Sequence, residues 1–251
     1  MNISLSNLLF YGLFALFQYF TWTQIDKLPD FKEIHPFTKK APVQVMLPED
    51  HPSFDIDYKG LKYEVKPLAD YIISALVMSM NNPAGFGDIY HDETSLDTRD
   101  FCVVYGENLQ SNVYKYIDSH NTSWTCWYKL VDKKDVFSHS ALSNNHLITN
   151  KQSIRDKIAS VKVGDQVTIK GKLVSYRMHE SDFWRKSSLS RDDTGNKACE
   201  SIFVEDLRIL RKTNRWSKPV FWIGLVVLPL GRNRYKHWKQ LRRNLPFYAK
   251  G

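Results

Sequence analysis

The chain has 251 residues, 43% of them hydrophobic, which suits one domain of moderate size with attached segments. Its net charge of +8 arises in residues 208–251, where 12 basic residues occur without an acidic one. The other 23 basic residues are outnumbered by all 27 acidic residues, so the remainder carries a net charge of −4. This distribution excludes a basic nucleic-acid-binding core and argues against nucleic acid as a partner.

The N-terminal stretch from Ile3 to Trp22 contains 20 residues without a charged side chain. At about 1.5 Å per helical residue, this length matches a hydrocarbon core of roughly 30 Å. No Lys or Arg precedes the stretch and no small-residue cleavage site follows it, as a cleaved signal peptide requires. The sequence therefore predicts a transmembrane anchor at residues 1–23, with a signal peptide or a buried core helix as alternatives.

Five prolines predict that residues 24–57 form an extended lead-in with little regular structure. A soluble domain rich in strands is predicted for residues 58–210. Within it, the apolar run at residues 71–80 suits a buried strand or a buried helix, and the strand is favoured. Leu109, Val113 and Ile117 recur at helical spacing and predict an amphipathic helix.

The clearest pattern lies between residues 151 and 210. Ile154, Ile158 and Val161 form a helical stripe, and residues 167–173 then alternate between apolar and polar side chains. Gly171, within that alternation, predicts a bulge or a bend. The pattern indicates a helix, a strand, a long loop and a partner strand. The predicted fold class is therefore α+β and β-rich: a small antiparallel sheet or an OB-like partial barrel with one or two helices.

The last predicted segment, residues 211–251, combines a short apolar stretch at 219–231 with a basic amphipathic tail. The stretch is short for a second span but long enough for an interfacial segment. Basic and aromatic residues of the tail suit an anionic membrane surface; they are Arg232, Arg234, Lys236, Trp238, Lys239, Arg242 and Arg243. A solvated tail and a nucleic-acid-binding arm are the alternatives. The positive charge places the tail in the cytoplasm.

The stretch KSSLSRDDTGNKACES, residues 186–201, concentrates reactive side chains in the predicted loop. Its Asp-Thr-Gly triplet occurs once and does not follow an apolar strand, so turn chemistry explains it better than an aspartic protease does. No nucleophile elbow or phosphate-binding glycine loop is present. Recognition of an anion or an acidic partner is therefore predicted ahead of catalysis. The candidate ligand-binding residues are His146, Arg185, Ser187, Ser188, Arg191 and Asp193.

The three cysteines, Cys102, Cys126 and Cys199, lack the spacing of zinc ligands. No metal site and no cofactor are predicted. Two of the cysteines could pair if the domain lies outside the cytoplasm, and the sequence does not determine which two. As strand residues they are equally suited to be small buried hydrophobic side chains.

Four motifs occur in the order CVVYGENL, SNNHLIT, GDQVTIKGKLVSY and SSLSRDDTGNKACESIFV. Together they resemble a family of uncharacterised bacterial proteins with an N-terminal membrane anchor, over roughly residues 58–210. The resemblance implies bacterial origin and membrane association but no reaction.

Two functions are predicted from these features. The first is a membrane-anchored, non-catalytic binding or assembly protein of the bacterial envelope, whose partners are the lipid bilayer and a membrane or envelope protein. The second is an envelope enzyme, hydrolytic or thiol-dependent, centred on residues 185–200 with His146. The missing catalytic motifs favour the first. The predicted location is the bacterial inner membrane, with the soluble domain in the periplasm or the cytoplasm and the periplasm favoured.

Overall fold

A computed structural model describes residues 5–81, 95–122, 125–132, 134–193 and 198–226. The chain divides into two compact units. Their described parts are residues 5–27 with 214–226 in the first unit, and the described residues from 28 to 213 in the second.

The second unit contains nine strands and two short α-helices among its described residues. The strands are β1 Val43–Met46, β2 Phe54–Tyr58, β3 Leu61–Asn81, β4 Asp97–Val104, β5 Ile117–Asn121, β6 Cys126–Leu130, β7 Leu142–Ile148, β8 Gln166–Met178 and β9 Cys199–Arg211. The helices are α2 Glu107–Gln110 and α3 Gln152–Ser160, and 3₁₀ turns occur at Phe31–Glu33, Pro36–Lys39, Val113–Tyr116, Lys134–Val136 and His139–Ala141. The predicted α+β, strand-rich class is confirmed.

Seven strands form one mixed sheet, while β5 and β6 form a separate antiparallel hairpin. Five strands of the large sheet pair in a closed cycle, β3–β4–β7–β9–β8 and back to β3. The β7–β9 pair is parallel and the other pairs of the cycle are antiparallel. The prediction of a small antiparallel sheet is therefore wrong, because a parallel pair forms between two strands that α3 and β8 separate in the chain.

The apolar core lies inside this cycle of strands. It includes alternate residues of β3, such as Tyr71, Ile73 and Ala75, together with Phe101 of β4 and Ile202 of β9. Alternate residues of a strand point to opposite faces. Cys102 lies between Phe101 and Val103, and His146 lies next to Asn145, so both point away from the core. This alternation directs Cys102 of β4 and His146 of β7 to the outer face.

The predicted lead-in contains more regular structure than its prolines suggested. Strands β1 and β2 both pair antiparallel with β3. Pro42 precedes β1, Pro48 follows it and Pro52 precedes β2, so none of these three prolines lies within a strand. The prolines delimit the strands, as expected for a residue without an N–H group.

The predicted amphipathic helix around residues 109–117 is wrong. Helix α2 ends at Gln110, a 3₁₀ turn follows, and Ile117 begins β5. Asn112 between them has a left-handed backbone with φ of 63°, which a continuous helix does not tolerate. Leu109, Val113 and Ile117 are nevertheless all buried, so their helical spacing reflects a shared core and not a shared helix.

The region from residue 151 to 211 follows the predicted order of helix, strand, loop and strand, as α3, β8, the loop and β9. Gly171 lies where the β8–β9 register shifts, as its position in the alternation predicted. A Cβ atom at this position would overlap the carbonyl oxygen of Phe203, so the close approach of the two strands requires glycine here.

The first unit contains helix α1, Leu5–Thr23, and a helical stretch at residues 217–226. Among the described residues, no helix has both the length and the mean hydropathy needed to cross a membrane. The prediction of a transmembrane anchor at residues 1–23 is therefore wrong by this measure. The stretch lacks charges, but its Asn, Gln, Thr and Tyr residues lower the mean hydropathy. The basic tail predicted to contact membrane lies outside the described residues.

Candidate functional site

The centre of the candidate site is a buried histidine–carboxylate pair. Asp100 of β4 and His146 of β7 are register partners in adjacent antiparallel strands, so their side chains share one face of the sheet. His146 Nδ1 lies 2.6 Å from Asp100 Oδ1, and each residue is 1% exposed. The contact orients the ring and leaves Nε2 as its second functional atom.

Two opposing effects determine the pKa of His146. Burial lowers it, because the charged ring loses its hydration. The carboxylate of Asp100, through charge and hydrogen bond, and the side chain of Cys199 outweigh burial and raise the pKa to about 9. Nε2 is buried and has no hydrogen-bond partner among the described residues. The Cys199 side chain thus affects the pKa of the ring without a hydrogen bond to Nε2.

Cys199 is the first residue of β9, is partly exposed and does not form a disulfide. It lines a cavity of about 300 Å³ together with Asn144, Tyr105 and Cys126. Asn144 is its register partner on β7, and Asn144 Nδ2 lies 3.5 Å from the sulfur. Asn144 Oδ1 accepts a hydrogen bond of 3.2 Å from Asn121, which aims the amide N–H group toward the thiol.

Hydrogen bonds attach the loop after β8 to β8 at Arg185 and to β9 at Ser187 and Ser188. Tyr176 and Arg185 exchange two backbone hydrogen bonds of 3.0 and 2.8 Å. The N–H group of Ser188 donates to the carbonyl oxygen of Cys199 at 2.8 Å, and Ser201 N–H donates to Ser187 Oγ at 3.1 Å. These bonds hold the loop beside the first residues of β9.

Arg185 brings a second cation toward the thiol. Burial lowers its pKa, but the charges of Tyr176, Asp97, Asp100 and Cys199 raise it to above the ordinary value. Cys199 therefore interacts electrostatically with both Arg185 and His146.

Three residues of this cluster also have the composition of a metal site. One ligand atom each from Asp97, Asp100 and His146 lies within 4.8 Å of the others. However, the Tyr176 hydroxyl donates to the Asp97 carboxylate, 2.9 and 2.8 Å from its two oxygens, and His146 Nδ1 already contacts Asp100. Arg185 adds a positive charge beside the two carboxylates. The arrangement is internally hydrogen-bonded and charge-compensated, which favours a positioning network over a metal centre.

A second ion pair, Arg191 and Glu200, lines the cavity together with Cys199. The Arg191 guanidinium forms an ion pair with Glu200 and donates a hydrogen bond of 3.0 Å to the hydroxyl of Tyr71. Burial raises the pKa of Glu200 to about 7, although the positive charge of Arg191 opposes the shift. Burial and the Glu200 charge also raise the pKa of Tyr105 to about 12. Glu200 Oε2 has no hydrogen-bond partner among the described residues.

The structure separates the six residues predicted as ligand-binding into three groups. His146 joins Asp100, and Arg185 joins the same cluster through its charge. Ser188 is only 4% exposed and donates a 2.8 Å hydrogen bond to Asp193, which is local turn chemistry. Ser187 accepts from the backbone of β9 and Arg191 binds Glu200. These contacts are made within the protein, and recognition of an anion by these residues stays a prediction.

The sequence patterns did not identify Asp97, Asp100, Asn144, Tyr176 or Glu200 as site residues, and Cys199 was not among the ligand-binding candidates. Asp100 lies 46 residues before His146 and belongs to no recognisable motif with it. The one sequence signal for Asp100 is its position directly before the apolar run FCVVYG, because a charged residue is seldom fully buried.

Comparison with known proteins identifies no relative. No protein-family model matches the chain, and no curated protein or solved structure is significantly similar to it. The resemblance to membrane-anchored bacterial proteins therefore stays a prediction.

Proposed function

We propose that the chain is a thiol-dependent enzyme in which Cys199 is the nucleophile. One observation carries the proposal: a partly exposed thiol lines a cavity and interacts with a buried histidine that a carboxylate orients. A nucleophile beside a base that a third group holds is the general arrangement of covalent catalysis. This takes up the thiol-dependent form of the predicted alternative, an envelope enzyme centred on residues 185–200 with His146.

The chemistry follows from the three side chains. The thiolate is the attacking form of cysteine. The thiolate adds to an acyl carbon, the leaving group takes up a proton, and a thioester forms on Cys199; His146 Nε2 is the proposed proton donor, although it is buried and does not line the cavity. Water activated by the now neutral ring then releases the acid. The N–H group of Asn144 is placed to donate to the oxyanion that develops next to the sulfur.

The cavity sets the size of the substrate. A volume of about 300 Å³ lies at the lower end of ligand pockets and fits a small acyl compound. Its walls combine the aromatic residues Tyr105, Trp127 and Tyr128 with the polar residues Arg191 and Asn144. An amphipathic substrate with a planar or apolar acyl part matches these walls.

The test is the covalent intermediate itself. We expect p-nitrophenyl acetate to release a burst of nitrophenol and to leave an acetyl group on Cys199, which peptide mass spectrometry locates. Cys199→Ser should abolish the adduct, and His146→Gln should slow the burst by about 100-fold or more. His179→Gln is the matched control, because that ring is exposed and pairs with Asp55 away from the cavity.

The predicted non-catalytic function gives a different result in the same experiment. A pure binding or assembly protein would label at Cys199 no faster than glutathione at the same pH, and its rate would not depend on His146. That outcome would overturn the enzymatic proposal. It would leave the cavity as a binding site for a partner protein or an envelope ligand.

We also propose an extracytoplasmic location. Cys102 and Cys126 form a disulfide between β4 and β6, and stable disulfides are typical of oxidising compartments such as the bacterial periplasm.

The closed cycle of five strands, with α3 between β7 and β8, supports an OB-like architecture. OB folds bind ligands with their strand faces and loops, which is a fold-level analogy and not an argument for this reaction.

A contact between the first unit and a lipid surface is a second, separate proposal. Large apolar side chains of α1 from Leu8 to Trp22 are 47–67% exposed, more than water-soluble surfaces normally tolerate in one element. Trp222, Ile223 and Val226 are similarly exposed in the helical stretch at 217–226. Flotation of the full chain with anionic and with neutral vesicles tests this. Recovery of the protein with neither type of vesicle would contradict it.

A further inference from the structure

Cys199 lines the same cavity as one cysteine of the disulfide. Cys126 of the β5–β6 hairpin lines the cavity, whereas Cys102 of β4 is fully buried. The two form the disulfide with their Cα atoms 5.6 Å apart. A thiol and a disulfide are therefore both present at one enclosed surface.

The strand registers explain this arrangement. Asn144 of β7 is the register partner of Cys102 on one side and of Cys199 on the other. Paired residues in neighbouring strands project to the same face, so the disulfide and the thiol flank the Asn144 side chain. Asn144 contacts the Cys199 sulfur and accepts a hydrogen bond from Asn121, which is the register partner of Cys126. A continuous chain of contacts thus links the Cys199 thiol to the position of Cys126.

We propose that Cys199 exchanges with the Cys102–Cys126 disulfide, so that the β5–β6 hairpin can be tethered either to β4 or to β9. The proposal rests on the reactivity of Cys199 that the proposed function also requires. It adds a second reaction partner within the protein, a disulfide, to the acyl substrate.

The exchange is balanced without an external oxidant or reductant. The thiolate of Cys199 attacks the sulfur of Cys126, the more accessible of the two, and a Cys126–Cys199 bond forms. The Cys102–Cys126 bond breaks, and its electron pair leaves with the sulfur of Cys102. Cys102 then takes up one proton, equal to the one that Cys199 lost, so one thiol and one disulfide exist before and after. In the second state the nucleophile is masked.

Peptide mapping of serine variants tests the exchange. In Cys102→Ser, the remaining pair Cys126 and Cys199 should form a disulfide when the full chain is incubated with oxidised glutathione. In Cys126→Ser, the buried Cys102 should pair with Cys199 at least about tenfold less, because access of the attacking thiolate limits exchange. Cys199→Ser is the matched control and should contain only the Cys102–Cys126 bond.

A measurement on the unaltered chain covers the case in which Cys102→Ser fails to fold. After incubation at pH 8 and rapid alkylation, we expect label at Cys102 as well as at Cys199, together with a Cys126–Cys199 peptide pair. Label at Cys199 alone, with no such pair, would overturn the inference. Acetylation of Cys199 in the nitrophenyl acetate experiment would survive that result, so the two proposals fail separately.

Discussion

The two acid–base pairs of the candidate site show opposite outcomes of the same competition. In the Asp100–His146 pair the attraction of the carboxylate outweighs burial, and the pKa of His146 rises to about 9. In the Glu200–Arg191 pair burial outweighs the attraction of the cation, and the pKa of Glu200 rises to about 7. Asp100 is as buried as its partner, whereas the Arg191 side chain is 21% exposed and also contacts Tyr71 and Gln44. A counter-charge stabilises a buried ion more strongly when it is itself held away from water.

Both shifts lower stability as pH rises, but in different ranges. Each group has a folded-state pKa above its unfolded value, so its contribution is complete below the unfolded pKa and is lost as pH passes the folded pKa. For Glu200 this range runs from 4.5 to about 7, and for His146 from 6.5 to about 9. The contributions of the two pairs to stability can therefore be distinguished by pH as well as by substitution.

The largest expected effect comes from removing the carboxylate that holds His146. Asp100→Asn leaves a buried ring without its counter-ion, and breaking a buried pair typically costs about 3–5 kcal/mol. Urea unfolding at pH 6 measures this loss of stability. Glu200→Gln should cost less under the same conditions, because burial already disfavours the glutamate anion. Equal losses in the two variants would contradict the proposed difference between the pairs.

The next effect is the alkaline loss of stability through His146. A shift from 6.5 to about 9 corresponds to a decrease in unfolding free energy of up to about 3 kcal/mol across that pH range. His146→Gln should flatten the profile between pH 6.5 and 9, while His179→Gln should leave it steep. Chemical denaturation at half-unit pH intervals gives the profile. A steep profile in His146→Gln would assign the titration to another group.

A third effect, of about the same size, should appear at lower pH through Glu200. The unfolding free energy should decrease by no more than about 3 kcal/mol between pH 4.5 and 7, because the unfolded glutamate releases its proton first. Glu200→Gln should remove this decrease and leave the alkaline limb of His146 unchanged. Loss of both limbs in the one variant would show that the pairs titrate together.

The smallest effect belongs to a surface group that calibrates the other three. Asp206 pairs with Lys157 at 3.3 Å and with Arg208 at 2.9 Å, in a partly exposed position. Asp206→Asn should lower stability by about 0–1 kcal/mol and leave the profile above pH 5 unaltered, since water screens such pairs. A loss as large as that of Asp100→Asn would mean that burial does not explain the contrast.

Local patterns predicted many of the elements. The alternation at residues 167–173, the helical stripe at 154–161 and the apolar run at 71–80 correspond to β8, α3 and β3. These signals are reliable because a period of 2 or 3.6 depends only on neighbouring residues. The same reasoning failed at residues 109–117, where three buried residues at helical spacing belong to a helix, a turn and a strand.

The candidate site was only partly predictable. His146 was identified in SNNHLIT, and residues 186–201 were recognised as a loop between two strands. The thiol of Cys199, however, was judged by motif spacing, which says nothing about a parallel pairing between β7 and β9. Asp100 and Glu200 had no motif at all, because their importance comes from burial next to a counter-charge.

The stretch KSSLSRDDTGNKACES illustrates the division between the two levels. Its residue types alone determine a polar turn that starts with serines and aspartates and ends where the apolar β9 begins. Only the tertiary structure determines that His146 pairs with Asp100, that Arg191 pairs with Glu200 and that Cys126 and Cys199 line one cavity. The reason is physical. Turn and strand propensities act over a few residues, whereas hydrogen-bonded register brings together side chains that lie 46 residues apart in the chain, as for Asp100 and His146.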